Sequence, residues 1–316
     1  MLTASAPGKL IVAGEYAVLD GAPALVVAVD RRAVARIQPG PRGSSPFLAA
    51  VAEEVAARGG DGARALSIAV DSRAFYVDTG AGPLKLGLGS SAAVTVAATA
   101  LALGEPLDRA RVFDIAAAAH ARAQGARGAR GSGADIAAAV YGGAIAYTTS
   151  SVTPRTWPIG VAILPFFTGA SADTATLVAA VSAARAARPD AVSAALTAIA
   201  AASRAACDAC AARDATVAAT GLLGALALAG SAMDQLAAAT QLALVPACVT
   251  RARAALANLG GTAKTTGAGG GDVALAVIPH TPEHATLARR YIIEAGGQPL
   301  DMSVDQAGVD LHPGTQ

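Results

Sequence analysis

Three stretches of this sequence carry residue types and spacings that chemistry can use. Lys85-Leu86-Gly87-Leu88-Gly89-Ser90-Ser91-Ala92-Ala93 alternates glycine with leucine and runs directly into an Ala/Val segment of helical composition. Glycines let a backbone approach a phosphate closely, and a helix start offers unpaired N–H groups at the positive end of a dipole. Ser90 and Ser91 add hydroxyls, one of which could hold Mg²⁺ beside phosphates. No Gly-Lys-Ser/Thr closes the loop, so it is not a Walker A sequence. The bland alternative is a glycine-rich helix entry capped by serine. In the second stretch, Ala6 to Leu19, Lys9 heads an apolar run that continues to Glu15 and Tyr16. The third, Lys264-Thr265-Thr266-Gly267-Ala268-Gly269-Gly270-Gly271-Asp272, is a glycine-dense turn before an apolar strand. Taken singly, these two read as a solvated lysine and a flexible hairpin.

The elements that must position these residues follow from periodicity and punctuation. Short apolar runs predict strands over 10–13, 24–29, 33–37, 66–70, 75–77, 144–148, 160–167 and 273–278, with a last one near 300–304. Helices are expected over 46–58, from Ser90 to Leu103, over 108–123 with Asp108 as N-cap, and over 134–141. The second half is helix-rich from 172 to 228, with further helices over 249–259 and 282–295. Residues 124–133 and 260–271 read as loops. The Pro-bearing linker 150–158 marks a domain boundary, giving domains of 1–152 and 153–316. Mixed strand and helix order argues an α+β class.

Composition removes several functions. The 316 residues contain 24 Lys plus Arg against 23 Asp plus Glu, a net charge of +1 that gives no electrostatic footprint for nucleic acid. Hydrophobic residues make up 53% and aromatics 3%, which argues against disorder and against base-stacking platforms. Mean hydropathy is +0.47, and the uncharged stretches 86–104 and 215–233 approach the roughly 20 residues that span a bilayer. Both are built on Ala, Gly, Ser and Thr rather than on Leu, Ile and Phe, so a soluble protein is expected. The N-terminus lacks the basic and apolar regions of a signal peptide. Three cysteines fit a reducing cytoplasm, with Cys207 and Cys210 read as small buried thiols on an apolar helix.

In their order along nearly the whole chain, the three stretches resemble the signature motifs of the GHMP kinases (galactokinase, homoserine kinase, mevalonate kinase, phosphomevalonate kinase). The Lys-x-Gly-Leu-Gly-Ser-Ser form is similar to that of phosphomevalonate kinases, where mevalonate kinases usually read Pro-x-Gly-x-Gly-Leu-Gly-Ser-Ser. Gly131-Ser132-Gly133-Ala134-Asp135-Ile136-Ala137, the lead-in His120-Ala121-Arg122-Ala123-Gln124-Gly125 and the turn Thr168 to Thr174 resemble the same subgroup. Departures are a longer loop between Gln124 and Ser132 carrying Arg127 and Arg130, Thr265-Thr266 where Pro-Ser is common, and Val273 where Cys is common.

The resemblance implies a two-lobed GHMP kinase fold, with a ribosomal-protein-like N-terminal lobe containing a left-handed βαβ unit and a ferredoxin-like C-terminal lobe. It implies ATP and Mg²⁺ as cofactors and phosphoryl transfer to phosphomevalonate; composition leaves no nucleic-acid or membrane partner expected, and the sequence leaves the oligomeric state, monomer or homodimer, open. Mevalonate kinase, another small-molecule GHMP kinase, or a non-catalytic sensor remain the alternatives. Carried over residue by residue, Lys9 and Asp135 flank the transferring phosphoryl group. Lys85, Gly87, Leu88, Gly89, Ser90, Ser91 and Ala92 bind ATP, with Ser91 toward the metal. Glu15, Tyr16, Arg130, Ser132, Gly133, Lys264, Gly269 and Gly270, together with Lys9 and Asp135, form the substrate site. His120 is expected to cap its helix, since imidazole is a poor Mg²⁺ ligand.

Overall fold

The computed structural model describes residues 2–38, 45–78, 80, 82–126 and 131–313. Its first strand, β1 (Leu2–Ala13), pairs antiparallel with β2 (Ala24–Ile37) along nearly its whole length. The expected break at Asp30-Arg31-Arg32 is a bulge inside one strand: Pro7 pairs with Arg32 while Gly8 pairs with Val29. Such bulges bend a strand and re-aim its side chains. This one sits immediately before Lys9.

Helix α1 (Pro46–Ala57), helix α2 (Gly62–Leu66), strand β3 (Ile68–Asp71) and the hairpin β4 (Tyr76–Asp78) to β5 (Pro83–Lys85) follow. Next come α3 (Ser90–Leu103), α4 (Arg109–Gly125), α5 (Ala134–Tyr141), β6 (Ala144–Thr148) and β7 (Ser151–Arg155). The first sheet runs β12-β1-β2-β6-β7, with β3 also on β2, where β12 (Asp310–Pro313) is the last strand of the chain. The predicted boundary at 152/153 therefore falls within β7, and the C-terminus returns to the first sheet. Helices α1, α3 and α4 cover one face of it. Their contact is built on alanine and valine (Ala50, Val51, Val96, Ala97, Ala100, Ala116, Ala119), small side chains that let the backbones come close.

The second half contains β8 (Val161–Phe167), α6 (Thr174–Ala187), α7 (Pro189–Ala209), α8 (Ala215–Thr240) and α9 (Ala247–Leu256). It continues with β9 (Thr262–Thr265), β10 (Val273–Pro279), α10 (Pro282–Glu294) and the short β11 (Gln298–Pro299). The second sheet is antiparallel in the order β11-β8-β10-β9. Alternation along β10 divides its faces: Ala274, Ala276 and Ile278 meet α9 and α10, while Val273, Leu275 and Val277 join Leu222 and Leu226 of α8. That latter cluster also takes in Leu10, Val12, Leu25 and Val27 of the first sheet, so one apolar core bridges both halves. Helix α8 is long and apolar enough to cross a membrane by length and composition. Here it lies against α7 with Leu222, Leu226, Met233 and Leu236 fully buried.

Three expectations change. Strand β7 lies in the predicted linker and β9 in the predicted loop 260–271. Around 300–304 there is only an isolated bridge from Val304 to Val29. Strands β7 and β9 are mostly polar or proline, so no apolar run marks them, whereas the alternation of Leu300, Met302 and Val304 signals a strand of which only Val304 finds a bridge pairing. Cys207 and Cys210 are buried as expected, and desolvation pushes their thiols up to about 11 and about 12, which leaves them unreactive.

Candidate active site

Among the described helices, two begin at a left-handed glycine. Helices α2, α4, α6 and α8 begin under Asp61, Asp108, Asp173 and Asp214, whose carboxylates accept hydrogen bonds from first-turn amides. Helices α3 and α5 begin instead at Gly89 (φ 74°) and Gly133 (φ 86°), both left-handed and without a side-chain cap in the N-cap position. The first-turn N–H groups of α3, from Ser90, Ser91 and Ala92, are thus left to bind an anion.

Lys9 is brought to the first of these starts by the bulge. Its backbone N–H donates to Leu88 O at 2.9 Å, and its Nζ donates to Gly87 O at 3.4 Å. Gly8 allows the approach, since a Cβ there would lie 2.9 Å from Leu88 O. A Cβ on Gly89 would lie 3.2 Å from Lys9 Cε and 3.5 Å from Asp135 Cβ. Lysine, carboxylate and glycine turn therefore meet at one point. Burial lowers the pKa of Lys9, while Asp135 and Asp272 oppose the shift and the charge of Lys85 adds to it.

Beside Lys9, Glu15 and Lys264 form an ion pair in which both side chains are completely buried. Lys264 Nζ also donates to Thr265 O at 2.6 Å. Burial raises the Glu15 pKa, with Lys264 pulling the other way, and Glu15 Oε2 is without a hydrogen-bond partner. The pair joins residues 249 positions apart, so it ties the loop after β1 to β9. Tyr16, at φ 58°, donates its hydroxyl to Ala268 O at 2.7 Å and makes the same tie.

These groups open onto a cleft of about 160 Å³. Of the predicted residues, Lys9, Glu15, Tyr16, Gly87, Ser132, Asp135 and Gly269 line it. Ser132 is held by Tyr147, whose hydroxyl donates to its carbonyl at 2.6 Å, and Asp135 Oδ1 accepts from Ile136 N at 3.0 Å. Leu88 and Ser90 are buried within the glycine turn and the start of α3, with Ala92 in the core behind them. Lys85 is exposed at the end of β5. Gly133 packs against the Tyr147 hydroxyl, and Gly270 against Leu177. Lys264 lies beneath the cleft wall with no exposed surface; it braces Glu15 from behind. Arg130 lies outside the described residues.

His120 stands inside α4, not at a helix end, which corrects the expected cap. It stacks on Phe47 at 5.2 Å and brings Nε2 to 3.1 Å from Ser91 Oγ. It thereby orients the hydroxyl at the mouth of α3. Among the described residues no group of three or more His, Cys, Asp or Glu side chains could hold a metal ion. A hard, neutral oxygen such as Ser91 Oγ still fits Mg²⁺ as one ligand among phosphate oxygens and water.

Asp272, Thr266 and Gln124 line the cleft without having been singled out from the sequence. Asp272 had a signal: it closes the third glycine stretch at the point where the strand begins.

Residues 47–143 match the GHMP kinases N terminal domain. A mevalonate kinase of Aeropyrum pernix is 31% identical over 56% of this chain and 60% of its own length, so the match spans less than two thirds of that relative. A phosphomevalonate kinase of Streptomyces sp. (strain CL190) is 28% identical over 96% of this chain and 97% of that one. Streptococcus pneumoniae phosphomevalonate kinase, solved with phosphomevalonate and AMPPNP, superposes with a TM-score of 0.77 at 18% identity, covering 96% of this chain and all of that one. The three glycine turns thus gather about one lysine in a two-lobed α+β fold shared with solved GHMP kinases, and residues 47–143 carry the match to that family's N-terminal domain.

Proposed function

We propose that this chain is a GHMP kinase that transfers the γ-phosphoryl group of ATP to the phosphate of phosphomevalonate, giving ADP and diphosphomevalonate. The observation that carries the reading is the meeting of Lys9 and Asp135 beneath an uncapped helix start. The full-length similarity to a phosphomevalonate kinase supports the choice of acceptor.

Phosphoryl transfer asks a protein mainly for positioning and charge stabilisation. The amides of Ser90, Ser91 and Ala92 would bind the polyphosphate, and Lys9 would meet the transferring group from β1. The attacking atom is a phosphate oxygen already ionised near neutral pH. Asp135 therefore serves best by fixing the Lys9 ammonium and the acceptor, without having to remove a proton. Mg²⁺, held in part by Ser91, would offset charge on the nucleotide phosphates.

ADP release with a panel of mevalonate, phosphomevalonate, homoserine and galactose tests the proposal. Turnover with phosphomevalonate above the others is expected. Preference for mevalonate reassigns the acceptor, and ATP binding without turnover on any member makes the chain a sensor. Arg130→Ala should raise KM for a phosphorylated acceptor and leave an unphosphorylated one unaffected.

A further inference from the structure

Asp272 occupies a position that neither the glycine turns nor the Lys9–Asp135 pair explains. It is in the left-handed region at φ 55°, rare for a residue with a side chain, and such strain collects at functional sites. Its main chain is fixed at both ends: its N–H donates to Ala170 O at 2.7 Å, and its carbonyl accepts from Thr168 N and Thr168 Oγ1, each at 3.0 Å. Oδ1 accepts from Ser171 Oγ at 3.1 Å and from Ala172 N at 3.2 Å. Oδ2 is pressed against Gly87, where a Cβ would collide with it. Lys9 Nζ donates to the carbonyl of that same Gly87. One glycine thus separates a fixed carboxylate from the site's ammonium.

We propose that Asp272 is a positioning residue, whose pinned carboxylate supplies the fixed negative charge that keeps the Lys9 ammonium seated beneath the Gly87 turn. The role rests on the reading of Lys9 as the group that meets the transferring phosphoryl. Lys9 is faced by Asp135 at the start of α5, Asp272 ahead of β10, Glu15 after β1 and the like charge of Lys85 on β5. Glu15 is already committed to Lys264, which leaves Asp135 and Asp272 to balance the burial of the amine. Asp272 further joins the turn 168–172, the glycine stretch before β10 and the phosphate-facing turn, so Lys9 is held relative to all three.

The test exploits composition. Lys9, Lys85 and Lys264 are the only lysines in the chain, so ¹³C-lysine labelling gives three ε-methylene resonances to follow against pH in the unliganded protein. Asp272→Asn and Asp272→Gly should each lower the titration midpoint of Lys9; glycine keeps the left-handed backbone at no steric cost and remains readable where asparagine disturbs folding. Ser171→Ala keeps the carboxylate and should leave that midpoint in place. In the Asp272 variants kcat should fall on the order of tenfold near pH 8 and recover as pH is lowered and Lys9 recharges. An unchanged Lys9 midpoint in both Asp272 variants, or a kcat loss independent of pH, overturns the proposal. The NMR arm involves no acceptor, so its failure is distinct from a wrong choice of substrate.

Discussion

Lys264 and Lys9 each face carboxylates within one site, yet their settings are opposite. Lys264 and Glu15 are sealed from solvent and pair with each other, the ammonium also donating to the Thr265 carbonyl while Glu15 Oε2 has no partner. Lys9 makes no direct ion pair among the described residues; it leans on the Gly87 carbonyl while Asp135 and Asp272 stand off, and it opens onto the cleft. A paired buried charge has given up its capacity to act on anything else. An ammonium balanced at a distance keeps its donors available for an incoming phosphate. The same residue types therefore make a tie between the two halves in one place and a reactive point in the other.

Breaking the sealed pair should give the largest effect. Lys264→Met leaves Glu15 buried and unpartnered and should destabilise the fold by about 3–5 kcal/mol in denaturant unfolding. The double variant Glu15→Leu/Lys264→Met should recover most of that loss, because an apolar pair of similar volume removes both desolvation costs. If the double variant is no more stable than the single, the pair is not acting as a self-contained unit.

Lys9→Met should do the converse. Turnover should drop about 10²–10³-fold, the range for losing one donor to developing charge, while the melting temperature holds or rises. A large fall in stability would mean that Lys9, too, is a structural tie.

Gly87→Ala and Gly89→Ala sharpen the contrast from the backbone side. Both residues are at positive φ, and a methyl would press on Asp272 in one case and on Lys9 in the other. A stability cost of about 1–3 kcal/mol is expected, with nucleotide affinity reduced in both.

The smallest effect is one of pH. The Lys9 pKa is lowered in the folded protein from the ordinary 10.5. Between the two values the unfolded chain binds the additional proton, so the unfolding free energy gains from Lys9 as pH rises through that window. Lys9→Met should abolish that slope, read as the difference between the two proteins' unfolding free energies across alkaline pH. The raised pKa of Glu15 is common to both proteins and drops out of the difference.

Much of this was legible in the residues. The glycines at 87, 89 and 133, the serines that follow the first two, and Lys9 at the head of an apolar run marked a phosphate site. Elements such as α3, α5, β6 and β10 were placed almost to the residue, because eight or more residues of helix, or an unbroken apolar strand of any length, give a clear signal. Strands β7 and β9 were missed because polar residues and a proline (Ser151, Thr153, Pro154; Thr262, Lys264, Thr265) interrupt any apolar run, and β12 because it takes its pairing from β1 at the far end of the sequence.

Sequence alone determined the local chemistry: which turns can bind an anion, which helix starts lack a carboxylate cap, and which residue types can bear charge there. Only the tertiary structure decided how those charges are used, because the outcome depends on distance and solvent. Lys264 and Lys9 are alike in sequence, each next to a turn with glycine; packing of β9 behind Glu15 seals one, and the bulge before Lys9 turns the other toward the cleft. Likewise Asp272 is one more acidic residue until folding sets its carboxylate against Gly87.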